Sequence, residues 1–349
     1  MFDLEGRGIL VAVIKDVANL AGVSISTVSK FFNNPNGLSE PYRSKVAEAV
    51  KELDFKPNAI ARGLRTKRTN TIALIVPTIT NTFYVEVYDS IRLAAMSYGY
   101  MTQLYTTEEN FNVLNEVISQ LSSSKIDGII LCFLDEDDSI ALFDRTQETV
   151  PVALLSWDSD AKFNSAVLDL TKTMYQATSY LIQQGHSKIA YVNGQAGSRI
   201  SHQKKGGYLK AMADAGFPVP DEYIYSGNYS YKTGYQAAKQ FMNCSNPPTA
   251  IVAANDIIAI GCCKYLHLNG YNIPRDVSVV GMDGIQLAKI YDPSITTMAT
   301  PISAMATEAV NLLINKIEHP TSKNRQTLFE SKLIIGRSTD ENAPLYLEF

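Results

Sequence analysis

The chain has 349 residues, of which 46% are hydrophobic and 19% charged, and its formal net charge is −4. This length exceeds a typical domain of about 100–200 residues, so two or three packed cores are expected, and the composition excludes a disordered chain. No apolar run reaches the roughly 18 residues of a membrane span. The N-terminus, with Asp3 and Glu5 before its short apolar patch, is not typical of a signal peptide.

The charge is unevenly distributed. Residues 1–70 carry 11 Lys and Arg against 7 Asp and Glu, whereas the remainder of the chain is acidic. A basic terminal segment favours a polyanionic partner. The four cysteines show no metal-binding or redox spacing, which predicts buried thiols in the reducing cytoplasm, with no metal site and no cofactor. They are Cys132, Cys244, Cys262 and Cys263.

Three short helices with tight connections are predicted between residues 14 and 53. Gly22 breaks the first helix, Ser24 can cap the second, and Ser39 with Pro41 is a good start for the third. The inward stripe of the first helix is expected to comprise Val13, Val17, Leu20 and Ala21. The apolar face of the second is expected to comprise Val28, Phe31 and Phe32. The spacing predicts a helix-turn-helix.

Beyond residue 70, strand-like runs alternate with helical stretches twice over. The first series predicts strands at 72–76, 101–105, 128–133 and 152–156, with helices at 85–97, 113–122 and 140–146. The second predicts strands at 188–192, 223–225, 250–253, 278–282 and, last, 331–336, with helices at 174–184, 205–215, 234–242 and 258–268. Together they predict two doubly wound parallel-sheet α/β lobes, with a ligand cleft at the carboxyl ends of their strands.

Six short motifs identify a resemblance. They are Ile14-Lys-Asp-Val-Ala-x-x-Ala-Gly-Val-Ser24, Ser26-Thr-Val-Ser29, Asn58-Ala-Ile-Ala-Arg-Gly-Leu64, Gly185-His186, Ala254-Asn-Asp256 and Val280-Gly-Met-Asp283. In these motifs the chain resembles the lactose-repressor (LacI/GalR) family of bacterial regulators, from Ile14 to about Ser338. The resemblance implies a helix-turn-helix domain over 12–56, a hinge helix and linker over 57–70, and a periplasmic-binding-protein-like effector and dimerisation domain over 71–338. Its first lobe is expected at about 71–168 plus 300–327, and its second at about 169–299 plus 328–338.

The resemblance also implies a repressor that binds double-stranded operator DNA as a homodimer under allosteric control. In helix-turn-helix proteins the second helix enters the major groove, where Ile25, Ser26 and Lys30 would meet base edges. The family commonly has arginine in place of Lys30, and lysine offers a point charge rather than a planar fork. Phosphate contacts are expected from Ser24, Thr27, Ser29 and Asn33, with further DNA contacts from Ile14, Lys15, Asn58 and Ala61. Leu64 is implied as the apolar wedge of the hinge helix in the minor groove.

Candidate effector residues follow the predicted strands of both lobes. The carboxylates of Asp158, Asp256 and Asp283 can accept hydrogen bonds from paired hydroxyls, and the Asn255 amide can accept or donate, although each aspartate can equally cap a helix. Phe83, Trp157 and Tyr229 can stack on the apolar face of a sugar. The family often places an arginine after the position of Gly194, and Arg199 or His202 is the candidate for that role. A sugar or sugar phosphate is the favoured effector.

Other functions are also compatible with parts of the sequence. A purine effector, or control by a partner protein, fits the same two-lobed domain. An exported solute-binding protein would share the cleft, but it would need an export signal and has no use for residues 14–65. An enzyme is disfavoured because no GxGxxG, GxSxG or P-loop spacing follows a predicted strand, and because the four histidines are scattered.

Overall fold

The computed structural model describes residues 12–33, 37–55, 68–108, 110–124, 126–132, 149–157 and 163–344. The chain divides into two compact units, Met1–Thr69 and Asn70–Phe349. Residues 57–67 of the predicted hinge helix and linker lie outside the described residues, and so do the predicted helix 140–146 and Asp158. The proposed DNA contacts Asn58, Ala61 and Leu64 therefore also lie outside them. Among the described residues, no helix is long and apolar enough to cross a membrane.

The first unit contains three helices, α1 (Ile14–Ala21), α2 (Ile25–Asn33) and α3 (Glu40–Glu52). Gly22 ends α1 in the left-handed conformation at φ 64°, which glycine adopts without steric cost. The Ser24 hydroxyl then accepts a hydrogen bond from the Thr27 N–H at 3.2 Å and so caps α2. These features confirm the predicted helix-turn-helix. The shared core consists of Val17, Ala18, Ala21, Val28, Val46, Ala49 and Phe55.

The predicted inward stripe of α1 is wrong at two positions. Leu20 is 47% exposed and Val13 is also exposed, whereas Val17, Ala18 and Ala21 are buried. At about 100° per residue, Leu20 lies roughly 200° around the helix from Ala18 and therefore faces away from the core. A helix this short buries only a narrow stripe of side chains.

The second unit contains two six-stranded sheets. The elements of its first half are β1 (Thr71–Val76), α4 (Thr82–Ser97), β2 (Met101–Thr106), α5 (Phe111–Ser123), β3 (Gly128–Cys132), β4 (Val152–Ser156) and β5 (Asn164–Leu168). Then follow α6 (Leu170–Gln183), β6 (Ile189–Asn193), α7 (Arg199–Asp214), β7 (Ile224–Ser226), α8 (Tyr231–Met242), β8 (Ala250–Ala253), α9 (Asp256–Leu268), β9 (Ser278–Asp283), α10 (Gln286–Ile290) and β10 (Thr296–Ala299). The last elements are α11 (Ile302–Glu318), β11 (Gln326–Phe329) and β12 (Lys332–Ile334).

The first sheet has the strand order β11-β5-β4-β3-β1-β2, and every pairing in it is parallel. Strand β1 is buried on both faces, because Ile72, Leu74 and Val76 join one core cluster while Ala73 and Ile75 join another. This is the continuous apolar run that parallel strands require. This sheet and its helices, which include α4 and α11, are the first lobe.

The second sheet has the order β12-β10-β9-β8-β6-β7, with only β12 antiparallel to its neighbour. It forms the second lobe together with helices α6 to α10. The chain passes between the sheets three times, after β5, after β10 and after β11. The prediction of two doubly wound lobes is confirmed.

Three strands and two helices were not predicted, namely β5, β10, β11, α10 and α11. Strand β5 begins with Asn164 and Ser165, whose polarity is typical of a loop, yet both are buried. The Asn164 side chain accepts a hydrogen bond from the Arg325 N–H at 2.9 Å, which satisfies its amide oxygen inside the sheet. Helix α7 was predicted to start at 205 and instead starts at Arg199, because Ser198 caps it by accepting from the Ser201 N–H.

Candidate functional site

Helix α2 of the first unit separates a buried face from an exposed one. Val28 is fully buried, whereas Ile25 is 48% exposed and Ser26 and Lys30 are also exposed. An isoleucine this exposed contributes little to the domain core. The three side chains predicted to meet base edges are therefore all accessible on one helix.

The hydroxyl groups at the start of α2 are bonded to one another. The Ser24 Oγ lies 2.7 Å from the Ser26 Oγ and 2.9 Å from the Thr27 Oγ1. The two bonds use two of the three O–H donors, so one O–H remains to donate to a phosphate oxygen. Of the other predicted contacts, Lys15 is exposed, Ile14 and Ser29 are half-buried, and Asn33 is the last residue of α2.

A cavity of about 440 Å³ lies between the two lobes of the second unit, at the carboxyl ends of the strands. Its lining includes five residues that the sequence predicted, which are Phe83, Trp157, Tyr229, Asn255 and Asp283. The first lobe adds Thr78, Thr80, Asn81, Tyr84 and Glu108, and the second adds Ile200, Lys204, Asn228, Ser230, Tyr231 and Ile257. This is the location that open α/β sheets use for ligands.

Aromatic rings form two walls of the cavity. Phe83 and Trp157 stack with their centroids 6.2 Å apart and an interplanar angle of 27°. On the second lobe, the Tyr229 ring packs over Gly194, where a Cβ atom would lie 2.1 Å from the ring. Only glycine at 194 leaves room for this ring. The Tyr229 hydroxyl lies 3.3 Å from the Ser201 Oγ.

Lys204 places a buried cation in this cavity. Its Nζ donates a hydrogen bond to the Ala254 carbonyl oxygen at 2.9 Å and lies 5.1 Å from the Tyr229 centroid and 5.9 Å from the Trp157 centroid. Burial lowers the pKa of Lys204, and the negative charges of Asp283 and Asp256 oppose that shift. Lys204 is the one cation among the described residues that line the cavity.

Asp283 is only 5% exposed, and its backbone has a strained conformation with φ 115°. Its carboxylate has no hydrogen-bond partner among the described residues. Burial raises the pKa of Asp283 well above its ordinary value, and the Lys204 ammonium opposes the rise. A nearly buried acceptor that lines a cavity and lacks a partner is suited to a ligand donor.

Asn255 caps α9, since its Oδ1 accepts from the Ile258 N–H at 2.9 Å. It lines the cavity as well, so one side chain performs both of the roles expected at this position. Asp256 differs from the expectation, because it is fully buried and does not line the cavity. Its Oδ2 accepts from the backbone N–H groups of Gly284 at 2.7 Å and Ile285 at 3.0 Å, while its Oδ1 has no partner among the described residues.

Arg199 and His202 also differ from the expected placement. Both are exposed on α7, and neither lines the cavity. Lys204, which lines the cavity from α7 together with Ile200, was not among the residues predicted for the site. A helix begun at the Ser198 cap would have revealed this, because Ile200, Lys204, Tyr208 and Ala211 then share one face at helical spacing. Glu108 carried no sequence signal.

A helix-turn-helix unit together with a two-lobed ligand-binding unit defines the class of DNA-binding regulators that respond to a small ligand. Residues 13–58 match the family model described as "Bacterial regulatory proteins, lacI family". Residues 69–336 match the one described as "Periplasmic binding proteins and sugar binding domain of LacI family". The chain belongs to the LacI family, and it is a DNA-binding repressor with an effector-binding domain.

Several known proteins are similar over nearly their whole length. The ribose operon repressor of Escherichia coli (strain K12) is 32% identical over 322 residues, which cover 90% of this chain and 96% of that protein. The HTH-type transcriptional repressor PurR of Vibrio parahaemolyticus is 32% identical over 326 residues, covering 93% and 97%. Among solved structures, the lac repressor bound to ONPG in the repressed state gives a TM-score of 0.84 at 25% identity, and the transcriptional regulator CelR–cellobiose complex gives 0.71 at 26%. Each covers 94% of this chain and 99% of its own.

Proposed function

We propose that this chain is a transcriptional repressor controlled by a neutral carbohydrate that binds between the lobes of its second unit. The observation that carries this proposal is the Asp283 carboxylate, which has no hydrogen-bond partner among the described residues and lines the same cavity as the stacked rings of Phe83 and Trp157. A sugar offers donor hydroxyls to such a carboxylate and an apolar C–H face to such rings. The amides of Asn81, Asn228 and Asn255 supply further hydrogen bonds around the same cavity.

Charge favours a neutral sugar over a sugar phosphate. Lys204 is the only cation among the described lining residues, and it already bonds the Ala254 carbonyl and balances Asp283. The negative charges of Glu108 and Asp283 would repel the negative charge of a phosphate. A phosphate also offers few donors to a carboxylate, whereas a sugar hydroxyl can donate to it. The similarity to the ribose operon repressor and to the CelR–cellobiose complex supports the same class of ligand.

The proposed DNA contacts divide between bases and phosphates. Ile25, Ser26 and Lys30 would meet base edges in the major groove, and Ser24, Thr27, Ser29 and Asn33 would contact phosphates. Ile14, Lys15, Asn58 and Ala61 would add contacts, and Leu64 would be the minor-groove wedge. Operator affinity should therefore fall steeply as the salt concentration rises.

We propose a homodimer, because two copies of such a wedge and two recognition helices suit one pseudopalindromic site. Exposed apolar side chains at the α4–β2 corner provide a surface for the second copy. They are Leu93, Met96, Tyr98 and Met101, of which Met101 is 74% exposed. Because a bacterial operator lies in the cytoplasm, we propose that the protein acts there.

A thermal-shift screen of the full chain tests the effector class. Neutral mono- and disaccharides, their phosphates and purine bases would be compared on the wild-type chain, on Asp283→Asn and on Asp221→Asn. Asp221 is exposed on the same lobe and does not line the cavity, so that variant is the matched control. We expect a neutral sugar to stabilise the wild type and the control but not Asp283→Asn. Stabilisation by phosphates or purines alone would overturn the proposal.

A further inference from the structure

A carboxylate of the first lobe is bonded directly to the backbone of the second. The Glu86 Oε1, on α4, accepts a hydrogen bond from the N–H of Gln286 at 2.9 Å. Gln286 is the first residue of α10, whose N–H groups have no partner within the helix. The two residues are 200 positions apart in the chain, so this contact depends on the relative orientation of the lobes.

The bond ends on the four-residue loop 283–286, which carries an effector-site side chain. Asp283 starts the loop, and its side chain lines the cavity. The next two backbone N–H groups, of Gly284 and Ile285, are held by Asp256, and the fourth is held by Glu86. Asp283 sits at a positive φ that a non-glycine residue adopts only when its surroundings hold it there. Glu86 is the one of these anchors that comes from the opposite lobe.

We infer that Glu86 is a positioning residue, which fixes the loop 283–286 and holds the two lobes in the orientation that shapes the cleft. Its consequence for effector binding rests on the function proposed above, whereas its effect on lobe orientation does not. Loss of the bond frees both groups to bond water instead, so the arrangement with separated lobes becomes more populated.

Trp157 is a built-in reporter of this orientation. It is the only tryptophan of the chain. The ring belongs to the first lobe, is 8% exposed, and has the Lys204 ammonium of the second lobe 5.9 Å from its centroid. Separation of the lobes would therefore expose the indole to a soluble quencher such as acrylamide. This measurement needs no ligand and uses the full chain.

Four variants isolate the bond. Glu86→Ala removes the acceptor, and Gln286→Pro removes the donor N–H. Proline is tolerated at the first position of a helix, and the preceding Ile285 has ψ 154°, which is compatible with a following proline. Gln286→Ala alters the same side chain but keeps the N–H, so it is the matched control. Glu86→Gln keeps an acceptor oxygen and tests rescue.

We expect Glu86→Ala and Gln286→Pro each to raise the acrylamide quenching constant of Trp157 about twofold. The double variant should give no further increase, because both changes delete one bond. Gln286→Ala and Glu86→Gln should stay near the wild type, with far-ultraviolet circular dichroism unchanged throughout. Wild-type quenching in Glu86→Ala, or additive effects in the double variant, would overturn the inference. If the quenching pattern holds while no sugar stabilises the chain, Glu86 keeps this role and only the proposed effector fails.

Discussion

The Lys204 ammonium, carried by the second lobe, lies 5.9 Å from the centre of the Trp157 ring of the first lobe. Because the same Nζ bonds the Ala254 carbonyl and stands near Asp283, one side chain connects the ring wall, the strand end and the buried acid. A desolvated cation above an indole face is favourable by up to about 2 kcal/mol. The cavity between the lobes is thus organised around a charge that belongs to the protein.

Replacement of Lys204 by methionine should weaken effector binding. The methionine stem retains most of the packing, but Asp283 loses its nearby cation, which raises the pKa of that carboxyl further and favours its neutral form. A neutral acid is a weaker acceptor, so we expect about a tenfold loss of affinity for the stabilising sugar. Isothermal titration calorimetry on the full chain measures it.

Lys205→Met is the matched control for this prediction, because Lys205 is the next residue of α7 and does not line the cavity. It should bind the sugar as the wild type does. Equal affinities for Lys204→Met and the wild type would mean that Lys204 has a purely structural role.

The two faces of α2 should respond differently to truncation. Ile25→Ala removes an exposed side chain and should change thermal stability little, while it alters operator affinity through a lost base contact. Val28→Ala removes buried methyl groups and should destabilise the domain by about 1–3 kcal/mol. Thermal unfolding measures the stability of both variants. Electrophoretic mobility shifts on an operator selected from genomic fragments measure their operator affinity. Unchanged operator affinity and specificity for Ile25→Ala would remove this residue from the proposed interface.

Two adjacent glycines of α7 offer an internally matched test of how α6 and α7 pack. A Cβ at Gly207 would lie 2.2 Å from the Thr171 carbonyl oxygen and 2.9 Å from the Tyr175 nitrogen, whereas a Cβ at Gly206 would meet nothing within 4 Å. Gly207→Ala should therefore destabilise the second unit by about 1–3 kcal/mol. Gly206→Ala should stabilise it by about 0.5–1 kcal/mol through helix propensity. Chemical denaturation measures the change in the free energy of unfolding for both variants. A change of the same sign in both would contradict this packing of α6 against α7.

The sequence predicted the parallel strands and most of the cleft because both leave local signals. Apolar runs such as β1 identify strands buried on two faces. Asp283 ends β9, and Phe83, Trp157, Tyr229 and Asn255 follow the ends of other strands. Lys204 was missed because its place depends on where α7 begins, and that start is fixed by the single cap of Ser198. Asp256 was misplaced for another reason, since its two donors come from a loop 28 and 29 residues away. No local pattern reports such a contact.

Asp256 should make the stability of the second unit depend on pH. Burial raises its pKa from 3.8 to about 7, against the opposing hydrogen bonds from Thr297, Ile285 and Gly284. Its neutral form is therefore favoured in the folded chain. The stability that this preference contributes is present in full below the unfolded pKa of about 4 and is lost as the pH rises through 7.

Asp256→Asn carries an amide that does not titrate, and its oxygen can still accept from Gly284 and Ile285. The variant should therefore gain stability relative to the wild type as the pH rises, on the order of 2 kcal/mol between pH 5 and pH 7. The amide nitrogen of the variant would occupy the position of Oδ1, which has no partner among the described residues, and would lower stability equally at every pH. The informative quantity is therefore the dependence of the free energy of unfolding on pH and not its absolute value. Denaturant unfolding in urea across this range measures it for both chains, with Asp276→Asn, an exposed acid of the same lobe, as control. Parallel stability curves for wild type and Asp256→Asn would show that Asp256 is ionised throughout, held so by its two backbone donors and the nearby Lys204 ammonium.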